Sequence, residues 1–63
     1  MYEIRYEVTG ETLATKIRTI GEAIKIQKVY LEQAAEELLN VYPEMSKEKA
    51  MKIYEADIVI VSM

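Results

Sequence analysis

The densest carboxylates in this 63-residue chain are Glu32, Glu36 and Glu37. Paired acids can in principle move protons or hold a hard cation. Glu32 and Glu36 lie four residues apart, which places both on the outward face of a helix, where solvated carboxylates are ordinary. Asp57 is the only aspartate, so no calcium loop of the D-x-D-x-D-G type can form. The acidic row is better suited to meeting a basic surface on another protein.

Five tyrosines stand without any Phe or Trp, and tyrosine joins apolar area to a hydroxyl in a way that suits wet interfaces. Tyr2, Tyr6 and Tyr30 fall on apolar faces of their segments. Tyr2 and Tyr6 join Glu32, Glu36 and Glu37 as the candidate partner-binding residues. Gly21 could let a phosphate approach a helix N-terminus, but the chain has only two glycines and neither a G-x-G-x-x-G nor a P-loop pattern.

The absence of cysteine and histidine removes disulfides, thiolate and imidazole metal sites, and the usual general base. No nucleophile and base can be paired from what remains, so neither an enzyme nor a bound cofactor or metal is expected.

The elements that must position these residues read as follows. Tyr2, Ile4, Tyr6 and Val8 alternate with Glu3, Arg5, Glu7 and Thr9, the period of a half-buried strand. Gly10-Glu11 as a two-residue type II′ turn would set Val8 against Leu13, Tyr6 against Thr15, Ile4 against Ile17 and Glu3 opposite Arg18. Thr19 and Glu22 have the spacing of a capping box and start a helix. Pro43 ends it after about 22 residues, roughly 33 Å, so it is long enough to overhang a small sheet. Ser46 caps a second, short helix, with Ala50, Ile53 and Tyr54 as its buried stripe.

Ile58-Val59-Ile60-Val61 closes the order as four β-branched residues in a row. An unbroken apolar strand expects cover on both faces, which reads as the centre of a small sheet. The third strand is expected to pair with the first. The fold class is therefore α+β, a single β-β-α-α-β domain over 1–63, with a three-stranded sheet packed against one long and one short helix. The expected core is Ile4, Val8, Leu13, Ile17, Ile24, Leu31, Leu38, Ile53, Ile58 and Ile60.

A core this small is marginal alone, and self-association is the remaining route to burial. Val59 and Val61, together with Ile26, Gln27 and Val29 on the long helix, are the candidate contacts of a homo-oligomer, expected to be a dimer. Gln27 interrupts the helix's apolar stripe, and two such amides could bond each other across a two-fold axis. The net charge of −3 and the lack of a cationic cluster argue against nucleic acid. No apolar stretch approaches the roughly 20 residues of a membrane span, and the N-terminal alternation is not a signal peptide, so a cytoplasmic location is expected.

These features favour a small acidic protein-protein interaction module. Its size and charge suit a regulator or inhibitor of the kind carried by phages and mobile elements, acting as a homo-oligomer. The alternative is a small-ligand or nucleotide-binding oligomer with a pocket between subunits near Gly21 and the tyrosines. A nucleic-acid-binding regulator fits least.

Overall fold

Alternation of Tyr2, Ile4 and Tyr6 with Glu3 and Arg5 forms strand β1 (Tyr2–Tyr6), as its period requires. A computed structural model describes all 63 residues and orders the rest as β2 (Glu11–Ile17), α1 (Ile20–Val41), α2 (Lys47–Glu55) and β3 (Ile58–Ser62). The sheet is antiparallel throughout in the order β2-β1-β3. The α+β class and the pairing of the third strand with the first are as the sequence indicates. The apolar Ile58–Val61 run, expected at the centre of the sheet, is instead an edge; β1 is the centre.

The hairpin departs from the expected two-residue turn. Glu7 to Gly10 form a four-residue loop, closed by the Gly10 N–H donating to the Tyr6 carbonyl at 2.8 Å. Gly10 sits at φ 76°, a left-handed conformation that costs glycine little. Tyr6 therefore faces Glu11, Ile4 faces Ala14 and Tyr2 faces Ile17, with two register shifts between them. Each shift inserts an extra residue on β2, and the one before Ile17 places Lys16 at φ 59°. The longer loop carries Val8 out of the sheet to 65% exposure.

A side chain in the left-handed region costs roughly 1–2 kcal/mol, against about 0.5–1 kcal/mol of backbone entropy that glycine loses on folding. Lys16→Gly should therefore stabilise the protein by about 0.5–1 kcal/mol, raising its melting temperature by about 3–6 °C. A lower melting temperature would show that Lys16 is not left-handed in solution.

Both helices start where their caps direct. Thr19 Oγ1 accepts from the Glu22 N–H at 3.2 Å, and Ser46 Oγ from the Lys49 N–H at 3.2 Å. Tyr42 and Pro43 stop α1, since a residue before proline avoids the helical region. The core gathers Ile4, Ile17, Ala23, Leu31 and Ile58 between α1 and one face of the sheet, with Tyr2, Tyr6, Leu13 and Ile60 packed against it.

Ala23, Ala35 and Ala50 are fully buried. Ile24 and Ile53, expected in the core, are about half exposed at 54% and 47%. Small residues win these positions because they let backbones approach closely where α1 packs on the sheet and on α2.

The opposite face of the sheet has no helix over it. There Glu3 pairs with Arg5 two residues along the same strand, not with Arg18 across the hairpin. Glu3 is buried between its neighbours although it belongs to the polar period of the strand. Val61 and Val59 flank this ion pair as the β3 partners of Glu3 and Arg5.

Candidate functional site

A cleft of about 350 Å³ opens where the hairpin end of the sheet meets the two helices. β1 contributes Tyr6, β2 Leu13, α2 Tyr54 and β3 Ile58. α1 contributes Tyr30, Gln33, Ala34 and Glu37, whose i, i+3, i+4, i+7 spacing is one side of a helix. Three of the five tyrosines thus meet, although they are separated by up to 48 positions.

The Tyr30 hydroxyl donates to the Leu13 carbonyl at 2.9 Å, which anchors one wall. No buried side-chain polar atom lacks a partner, so the other two hydroxyls are bonded or reach the mouth. Glu37 is exposed at the rim, and no lysine or arginine lines the cleft. The arrangement can hold an apolar stem and a positively charged end. No three His, Cys, Asp or Glu side chains converge as a metal site.

Of the residues expected to bind a partner, Tyr6 and Glu37 come together here. Tyr2 lies four residues from Tyr6, roughly 13 Å along the strand. Glu32 and Glu36 point elsewhere on α1 and do not line the cleft. Gly21 lies outside the cleft's wall. Tyr54 was missed as a site residue because the stripe of a short helix reads only as core.

Among the expected oligomer contacts, Ile26 packs against the core instead of widening the free surface. The Gln27 amide donates to the Ile58 carbonyl at 2.8 Å within the chain. Val29 is about half exposed, and Val59 and Val61 are half-buried on the open face of the sheet.

No family model, curated protein or solved structure matches this chain. No helix is long and apolar enough to cross a membrane.

Proposed function

We propose that this chain is a protein-interaction module that seats a lysine or arginine side chain of a basic partner in the tyrosine cleft. The convergence of Tyr6, Tyr30 and Tyr54 with Glu37 carries this reading. Aromatic rings attract cations, and Leu13, Ala34 and Ile58 suit the methylene stem of the same side chain. The net charge of −3 favours a basic partner. Glu32 and Glu36 act from outside the cleft, where solvated charges speed association and are screened over about 8 Å at physiological salt. The role is that of a regulator or inhibitor that occupies its partner, in a reducing cytoplasm where a protein without cysteine loses nothing.

Titrating a glycine- and serine-flanked lysine peptide should shift the ring resonances of Tyr6, Tyr30 and Tyr54 together. Tyr54→Ala should weaken binding about tenfold or more, because a desolvated cation–π contact is worth about 2 kcal/mol. Glu37→Gln should weaken it only a few-fold, since an exposed ion pair contributes about 0.2–1 kcal/mol. Reversing Glu32 and Glu36 to lysine should slow association at low salt and leave dissociation unchanged.

The volume favours a second reading, since small-molecule sites start at about 300 Å³. A neutral aromatic amide that moves the three tyrosines when the lysine peptide does not would establish it and dismiss the first.

A further inference from the structure

The sheet has two edges, and they are guarded unequally: on β3 only the Ile58 carbonyl is covered, by the Gln27 amide. On β2 the two bulges and the exposed Lys16 are devices that blunt an edge against pairing. β3 has an unbroken register over all five residues, no charge, no proline and four β-branched side chains. We propose that β3 pairs antiparallel with β3 of a second copy, about a two-fold axis at Ile60, making one six-stranded sheet with all helices on the same side.

Backbone hydrogen bonds fix the register. The Glu7 N–H donates to the Asp57 carbonyl at 2.7 Å, and the Met63 N–H to the Met1 carbonyl at 2.8 Å. Alternation along an antiparallel strand then turns Val59 and Val61 toward β1, and Ile58, Ile60 and Ser62 outward. Centring on Ile60 lets the two Ile60 backbones exchange both bonds and sets Ile58 against the second copy's Ser62, whose N–H takes the lone pair of the Ile58 carbonyl that Gln27 leaves open. It sets Val59 against the second copy's Val61 on the open face. Each such row runs from Arg5 at one end to Glu3 of the other copy, so no like charges meet.

Position supports the same occupant. Ile20 and Ile24, 48% and 54% exposed, lie on α1 seven and three residues before Gln27, whose side chain already reaches the β3 carbonyl at Ile58. That spacing keeps them on the same side of the helix, above the joint.

The pairing shares only Ile58 with the tyrosine cleft and is independent of what the cleft binds. In sedimentation of the whole chain, the mass should rise with concentration from 7.3 kDa toward twice that value. Ser62→Pro removes an outward N–H and no bond of the chain's own ladder. It should weaken the dimer about tenfold, two hydrogen bonds being lost per pair, and leave monomer unfolding unchanged. Non-hydrogen-bonded neighbours have Cβ atoms about 4.5–5.5 Å apart. Mixed Val59→Cys and Val61→Cys variants should therefore cross-link several-fold faster than either variant alone. A mass that stays at 7.3 kDa, a dimer unaffected by Ser62→Pro, or equal cross-linking in all three samples overturns the pairing. The first of these results would leave the edge to a strand of another protein.

Discussion

Ile4→Ala is expected to abolish the cooperative folded state at room temperature. Ile4 is the only large side chain with no exposed surface. It stands on the central strand, facing Ala14 on one side and Ile60 on the other, with the rest of the core packed around it. Removing a buried isoleucine to alanine costs about 2–5 kcal/mol, counting both the lost transfer energy and the cavity. A domain of this length holds only about 3–9 kcal/mol in total, and one with no staple lies at the lower end. Thermal unfolding followed by circular dichroism should lose its sigmoid. Ile4→Val, at about 0.5–1.5 kcal/mol, should keep the sigmoid and shift it to lower temperature. If the alanine variant melts like the parent, the centre of stability lies elsewhere.

Enlarging Ala50 to leucine should detach α2. Ala50 and Ala35 are both fully buried, one on each helix, and a leucine at either position needs volume the packed helices do not have. Overpacking costs about 1–3 kcal/mol. α2 has nine residues, too few to stay helical without its neighbour. The expected result is a loss of about one short helix of ellipticity, together with loss of the Tyr54 contact to the cleft, while the hairpin resonances persist. Ile53→Leu, on the exposed side of the same helix, is the matched control and should change little. Native resonances throughout α2 in the leucine variant would mean that the two helices are not close-packed there.

The elements themselves were legible because each carries a local signal. Alternation marks β1, Thr19 with Glu22 marks the start of α1, Pro43 its end, and Ser46 the start of α2. The hairpin register was not, because the extra residues on β2 have no periodic signature, and a two-residue turn pairs the apolar faces equally well on paper. Core membership failed at Ile24 and Ile53 because a helical wheel favours large apolar residues, whereas close approach of backbones favours Ala23, Ala35 and Ala50. The four β-branched residues of β3 were read correctly as a strand. Nothing in their pattern tells whether that strand has one neighbour or two. Half of the cleft is visible as Tyr30, Gln33, Ala34 and Glu37 along one helix. The other half arrives from Tyr6, Leu13, Tyr54 and Ile58, which only the topology brings together.

The strand order also sets a tempo for folding. β2 reaches β1 across a four-residue loop, a closure of the kind hairpins complete in about 1–10 μs. β3 must return to the same strand across about fifty residues, a closure that costs about 2 kcal/mol more in chain entropy. Until it docks, β1 carries an open edge on both the hairpin and the nascent helix layer, and the half-built protein offers its central strand to any extended segment nearby. The residence time of that state depends on how fast Ile58 and Ile60 find the α1 face. Variants in β3 therefore act chiefly on the unfolding rate, because contacts made last are absent from the barrier.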